Sequence, residues 1–325
     1  MAQDRIKVIF RTDGNSKIGM GHLMRCLALA QELQARLDCR ISFLIERAAG
    51  KSALKISNYG YEARYDFGEE FIDVVVTSLP GIHLSYAREL KKKTGLLVCL
   101  DDSETRRFVA DIVVRGSVVP KLRNCDSGHQ AKLLLGPDFM ILNKNFQKFN
   151  RKNKKINPKV KSILITMGGA DINNLTPKVM SALSGLKNVK KTIIAGFAFS
   201  DISRLKSAGD YILKYDVSNM AELMFFSDLI ISGGGMSLYE LACVGAPGIV
   251  LCQTRYQQLE ADCFQEKGVI INLGLGRDVS EDAIRSNVDD LLSKPKKRKM
   301  MSSAGKRLVD GKAVNRVARE ILRAI

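Results

Sequence analysis

The sequence predicts an α/β protein made of two doubly wound, Rossmann-like domains facing a cleft. Three observations carry this reading. Apolar β-rich runs alternate with stretches of helical periodicity, each half opens with a strand–glycine loop–helix unit, and a basic stretch at residues 144–161 separates the halves. At 325 residues the chain can bury two cores, divided as residues 1–150 and 151–325.

Residues 6–10 read as the first strand and residues 11–21 as a loop. Residues 22–37 follow with Leu23, Leu27, Ala30 and Leu33 at helical steps, and residues 41–45 form the next strand. Residues 73–76 and 96–100 are continuously apolar, as buried parallel strands tend to be, and residues 112–114 and 132–135 are weaker strands. The basic stretch reads as a flexible connection, although it contains Phe146 and Phe149.

The pattern then restarts. Residues 162–167 are a strand, 168–174 a glycine-opened loop, and 176–186 a helix with Pro177 in its first turn. Residues 189–195 are a strand, and 218–226 a helix with Ser218 as its N-cap. A strand at 228–232, a Gly233-Gly234-Gly235 loop and a helix at 237–244 repeat the unit. Residues 247–251 and 269–273 are strands, and helices run from Ser280 with breaks near Pro295 and Gly311.

Composition narrows the function classes. The chain is 46% hydrophobic and 26% charged, with no apolar run long enough to span a membrane. The N-terminus is too polar for a signal peptide, and seven scattered cysteines without a CxxC pair suit reduced thiols, so a cytoplasmic location is expected; a monomer is expected as well, although the sequence does not give the oligomeric state. The formal charge is +17, but residues 144–161 and 294–307 hold fifteen basic residues and no acidic one. Only +2 lies elsewhere, which argues for a solvated linker and a solvated tail helix and against a nucleic-acid partner.

Ligands in doubly wound sheets bind in the loops after the strands, so three loops are candidate sites. In the first, Gly19 and Gly21 allow close backbone approach, and His22 stands where the helix begins. The positive end of that helix favours neutral imidazole, the form a general base needs. Asp13 is placed to orient His22 or contact sugar hydroxyls, and Arg11 and Arg25 to pair with carboxylate or phosphate. In the second, Gly233–Gly235 offer a surface for a diphosphate, Ser237 a hydroxyl, and Glu240 an acceptor for two ribose hydroxyls. In the third, Gly168, Gly169 and Asn174 lie at another strand end, where Asn174 suits substrate hydroxyls or an N-acetyl group, or simply forms a turn. His83 and His129 are isolated, and Asp101-Asp102 reads as a solvent-facing turn, so no metal and no cofactor is expected.

The run Arg11-Thr12-Asp13, then Ile18-Gly19-Met20-Gly21-His22 with Arg25, resembles the nucleotide-sugar hydrolases of pseudaminic acid biosynthesis and the related spore-coat polysaccharide biosynthesis proteins. So do Met167-Gly168-Gly169-Ala170-Asp171 with Asn174, Ser232 through Ser237 with Glu240, and the closing run from Val309 to Arg316. The resemblance implies the two-domain glycosyltransferase-B fold and a UDP-linked 2,4-diacetamido-2,4,6-trideoxy hexose as substrate. It implies metal-independent, inverting hydrolysis at the anomeric carbon, releasing UDP and free sugar for a pseudaminic-type acid, with His22 as general base. It also places uracil near residues 216–220, including Met220. The likeness departs at Pro80, where those hydrolases carry a tyrosine, and at Leu142-Asn143, where they carry Leu-Arg. Transfer of the sugar from the same donor site, or nucleotide-sugar binding without catalysis, stand as alternatives.

Overall fold

The computed structural model describes residues 5–325 except 16–18, 48–49, 80, 82, 101–108, 124–130, 200–204 and 206–208, with only the main chain at 122 and 123. Ile18, Pro80, Asp101, Asp102, Cys125 and His129 therefore lie outside the described residues. The chain divides into two compact units, one reaching to Asn143 and joined by Lys312–Ile325, the other Lys144–Gly311.

The first unit is built on a parallel seven-stranded sheet in the order β3-β2-β1-β4-β5-β6-β7. Its strands are β1 (Ile6–Thr12), β2 (Cys39–Leu44), β3 (Glu62–Arg64), β4 (Ile72–Ser78), β5 (Thr94–Leu100), β6 (Ile112–Arg115) and β7 (Lys132–Leu135). Helices α1 (Gly21–Gln34), α2 (Gly50–Asn58) and α3 (Leu84–Lys92) connect them. Val8, Ile9, Phe10, Val74, Val75 and Val76 are buried, as expected for strands covered on both faces. Phe10 stacks on Phe43 with ring centroids 5.1 Å apart. His83 caps α3, accepting the backbone N–H of Ser85 at Nδ1. That local task accounts for its isolation from other candidate ligands.

The second unit has a parallel six-stranded sheet in the order β10-β9-β8-β11-β12-β13. Its strands are β8 (Ser162–Thr166), β9 (Lys190–Ala195), β10 (Tyr211–Tyr215), β11 (Leu229–Gly233), β12 (Gly248–Cys252) and β13 (Ile270–Leu275). Its helices are α4 (Lys144–Asn150), α5 (Leu175–Ala182), α6 (Met220–Phe226), α7 (Met236–Val244), α8 (Arg255–Glu266), α9 (Glu281–Ser293) and α10 (Pro295–Leu308). Among the described residues no helix is long and apolar enough to cross a membrane.

Three expectations need correction. The division expected at residues 150 and 151 instead lies before Lys144, and the last helix, α11 (Ala313–Leu322), belongs to the first unit. Its buried face of Val314, Val317, Ala318 and Ile321 packs in that unit, where Asn315 Nδ2 donates to Glu32 Oε1 at 2.7 Å and Lys132 pairs with Glu320. The basic connection is structured: α4 buries Phe146, and the buried Lys154 ammonium donates to the carbonyls of Phe225 and Ser227. Desolvation pulls the Lys154 pKa down to about 8. Finally, α6 begins after Asn219 rather than at a Ser218 cap, and its first turn lacks a side-chain cap.

Candidate functional site

Each sheet reverses its winding direction once. The chain runs β1, β2, β3 and then returns to place β4 beside β1; it runs β8, β9, β10 and returns to place β11 beside β8. The carboxyl ends of β1 and β4, and of β8 and β11, are thus the topological switch points where such sheets bind ligands. The three loops singled out from sequence leave β1, β8 and β11 at those points.

At the first switch point, Thr12 of β1 pairs in register with Ser78, the last residue of β4. The loop beyond Thr12 closes on itself through Asn15 and Gly19, each backbone N–H donating to the other's carbonyl. Gly19 has φ +75°, a conformation that favours glycine. Helix α1 starts at Gly21 without a side-chain cap and carries no acidic residue in its first turn. His22 is in that turn, and Arg25 follows three residues later on the same face. His22 Nδ1 lies 3.0 Å from Ser78 Oγ and 3.1 Å from an Nη of Arg25. Ser78 and Arg25 are buried, so both contacts come from the protein side of the ring.

A guanidinium only donates, so the Arg25 contact requires an unprotonated Nδ1. The neutral ring then carries its proton on Nε2. Ser78 can donate to Nδ1 in that tautomer, or accept from Nδ1–H in the other. Beside this cluster the Cys26 thiol is pushed up to about 12, chiefly by burial, so it stays protonated.

Arg11 and Asp13 engage each other. Arg11 donates to Asp13 Oδ2 at 2.6 Å, while Asp13 Oδ1 accepts from the backbone N–H of Glu46 at 3.0 Å. Arg11 also reaches the carbonyl of Leu44 at 3.4 Å. This pair ties the loop after β1 to the loop after β2. Asp13 is thereby anchored through both oxygens between the loops after β1 and β2.

At the second switch point, the three-glycine run is packed tightly. A Cβ on Gly234 would lie 2.6 Å from Cβ of Gln257, and one on Gly233 3.2 Å from the carbonyl of Met167. Gly235 has φ +85° and starts α7, whose first turn brings the buried Ser237 toward Gly168: a Cβ there would sit 3.9 Å from Ser237 Oγ. Glu240 is one turn into α7, where burial pushes its carboxyl up to about 7. Met220 opens α6.

The loop after β8 owes its shape to residues that sequence reasoning missed. Gln253, just past β12, donates from Nε2 to the carbonyls of Met167 (2.8 Å) and Ala170 (3.0 Å). Its Oε1 accepts the N–H groups of Ile172 (2.6 Å) and Asn173 (3.3 Å). Asp171 caps α5, accepting from the N–H groups of Leu175 and Thr176 at 2.8 and 2.7 Å. Asn174 has φ 51° and makes no cap hydrogen bond, so its place in the turn is a backbone one. Gly169 accepts close packing from Gly196, the residue just past β9: a Cβ there would meet the Gly168 carbonyl at 2.4 Å and Gly169 Cα at 2.6 Å. The one available signal for Gln253 was its position, a polar side chain immediately after a continuously apolar strand.

Among the described residues no three His, Cys, Asp or Glu side chains group as a metal site requires.

Residues 162–317 match the glycosyltransferase family 28 C-terminal domain. The chain is 26% identical to the spore coat polysaccharide biosynthesis protein SpsG of Bacillus subtilis, over 94% of each. It is 23% identical to the UDP-2,4-diacetamido-2,4,6-trideoxy-beta-L-altropyranose hydrolase of Campylobacter jejuni, over 81% of this chain and 97% of that protein. The crystal structure of Acinetobacter baumannii MurG aligns over 98% of this chain and 99% of its own, with a TM-score of 0.66 and 14% identity. That likeness shows the fold, two parallel-sheet α/β domains of the glycosyltransferase-B type. The two relatives belong to the groups whose motifs the chain resembles, and neither identity singles out one member.

Proposed function

We propose that the protein cleaves a UDP-linked sugar at its anomeric carbon, with His22 as the general base. The observation that carries this reading is the placement of His22 in the first turn of α1, at the β1–β4 switch point, with Ser78 holding Nδ1. When Nδ1–H donates to Ser78 Oγ, Nε2 presents a lone pair and can take a proton from an attacking water. The water oxygen bonds to the anomeric carbon as the bond to the diphosphate oxygen breaks, so configuration inverts and UDP leaves with the bonding electrons. Base assistance of this kind is worth roughly 10²–10⁴-fold. Arg25, turned toward the anionic substrate, would release Nδ1 for this tautomer.

Gly234, Gly235 and Ser237 at the start of α7 suit the departing diphosphate, where unpaired helix N–H groups favour negative charge. Glu240 suits the ribose hydroxyls and Met220 the uracil side. For the sugar, Gly168, Gly169 and Asn174 are the candidate contacts of the second unit, and Gly19 and Gly21, where the backbone is open to close approach, those of the first. Arg11 and Asp13 support the reaction by holding the His22 loop. The Campylobacter relative's name supports hydrolysis of a UDP-linked 2,4-diacetamido-2,4,6-trideoxy sugar, and a pseudaminic-type acid as the destination rests on the motif resemblance alone.

The match to the family 28 domain favours a second reading about as well, in which an acceptor hydroxyl replaces water at the same centre. A panel of UDP-sugars, scored by NMR for UDP release and anomeric configuration, separates the two. Inverted free sugar from the native chain, lost in His22→Ala, supports hydrolysis. Product that forms only with an added acceptor sugar supports transfer. Unchanged turnover in His22→Ala removes His22 from the base role in either.

A further inference from the structure

The two basic runs, far apart in sequence, lie side by side in the second unit. Lys306 Nζ donates to the carbonyl of Lys152 at 2.6 Å. The fully buried Arg298 donates to the carbonyls of Asn157 and Pro158, both at 2.8 Å. Asn150 Nδ2 donates to the carbonyl of Val309 at 3.1 Å. The segment after α4 is thereby strapped along α10. Lys154 and Arg298 point inward to carbonyls, while Lys155, Lys159, Lys296, Lys299 and Arg307 are exposed. Lys294 and Lys297 are paired with Asp290. Nearly all of the chain's charge excess is gathered on these two adjacent segments.

Large apolar side chains stand among these charges. Phe226 is 67% exposed and Met300 72%. Phe226 meets Phe225 and Phe149 edge-on, with centroids 5.2 and 6.2 Å away, and Lys152 Nζ sits 4.5 Å over the Phe149 ring. The patch therefore runs from Phe226 through Phe149 and Lys152 to Lys306 of α10, a helix that also carries the exposed Met300. Base stacking on a nucleic acid would need open aromatic faces. Here the Phe149 face is covered by a lysine, and Phe226 offers an apolar protrusion. Exposed apolar side chains ringed by lysine and arginine match the chemistry of a bilayer interface with anionic headgroups.

We propose that this face of the second unit docks on an anionic lipid surface, with Phe226 and Met300 entering the interface and the surrounding lysines and arginines facing headgroup phosphates. The site is independent of the chemistry at His22.

Vesicle co-sedimentation of the full chain tests it, comparing phosphatidylcholine vesicles with vesicles that also contain phosphatidylglycerol. The chain should sediment with the anionic vesicles at about 0.05 M salt, be released at about 0.5 M, and leave neutral vesicles unbound. The triple variant Lys155→Glu, Lys299→Glu, Arg307→Glu should weaken binding at least about tenfold, given what each basic residue contributes near such a surface. Phe226→Ser with Met300→Ser should weaken it as well without changing the salt dependence, which keeps the proposal testable if the charge-reversed chain does not fold. No sedimentation with anionic vesicles, equal binding by both variants, or tighter binding to a generic DNA duplex at the same salt would each overturn the proposal.

Discussion

An Nη of Arg25 lies 3.1 Å from Nδ1 of His22, so a permanent cation donates to the ring nitrogen that Ser78 also approaches. The two neighbours make different demands. Arg25 requires the tautomer with its proton on Nε2, whereas the proposed base needs Nδ1–H held by Ser78. Catalysis by His22 therefore depends on which neighbour holds Nδ1 when substrate is bound.

Ser78→Ala tests this choice. Loss of one hydrogen bond to the ring, worth about 1.4 kcal/mol, should lower kcat about tenfold with little change in KM. Ser78→Thr, which keeps the hydroxyl, should recover most of it. Steady-state kinetics on the UDP-sugar found active in the panel gives the answer; an unchanged kcat in Ser78→Ala would dismiss Ser78 as the group orienting the base.

Glu240 gives a pH dependence whose sign can be worked out. Its carboxyl sits at about 7 in the folded chain, against 4.5 for the ordinary side chain, because burial disfavours the anion. The folded state binds this proton more tightly than the unfolded state. Glu240 thus lowers stability progressively as pH rises from about 4.5 to about 7, and by a constant amount above that. Glu240→Gln should gain about 1–2 kcal/mol at pH 8 and nothing near pH 4, as read by urea unfolding at the two values. If the carboxylate accepts ribose hydroxyls, UDP affinity should weaken as pH falls below about 7 in the native chain and lose that dependence in the variant, by calorimetry.

Gln253→Ala removes a side chain that satisfies two carbonyls and two N–H groups of the loop after β8. Buried groups left unpaired cost about 1–3 kcal/mol each, with some recovered by water. A net loss of about 2–4 kcal/mol in unfolding free energy is expected, together with weaker UDP binding. Gln253→Glu should be no better, since it sets a carboxylate oxygen against the carbonyls of Met167 and Ala170. A destabilisation well under 1 kcal/mol in both variants would show that the loop holds its shape without this residue.

Gly196→Ala addresses the tight packing between the residue just past β9 and the loop after β8. The added methyl would meet backbone atoms at 2.4 and 2.6 Å, and backbone cannot swing aside as a side chain can. Overpacking typically costs about 1–3 kcal/mol, and here more than about 3 is expected, with the Gly168–Gly169 loop displaced. Thermal unfolding and UDP titration together check it; an unaltered melting temperature would contradict the close approach.

Much of the fold was readable because buried parallel strands are continuous apolar runs, as at Val74, Val75 and Val76 or Leu229, Ile230 and Ile231. The strands missed, β3 and β10, are sheet edges with partly exposed side chains, such as Glu62 and Ile212, and so lack that signature. The glycine loops and His22 stood out through residue type and position after strands. Partners did not: that Asp13 serves Arg11 and Glu46, that Ser78 and Arg25 share one nitrogen of His22, and that Gln253 shapes a loop from a different strand all depend on contacts between distant segments. Charge was misjudged for the same reason, because two basic runs counted separately turn out to be neighbours.

The return of α11 to the first unit has a consequence for biosynthesis. The helix at Ala313–Leu322 follows every residue of the second unit in the chain. A ribosome must therefore translate all of the second unit before the first can acquire its final helix. The first unit begins to emerge earliest yet is completed last, leaving the α1 surface beside Glu32 uncovered on the nascent polypeptide until then.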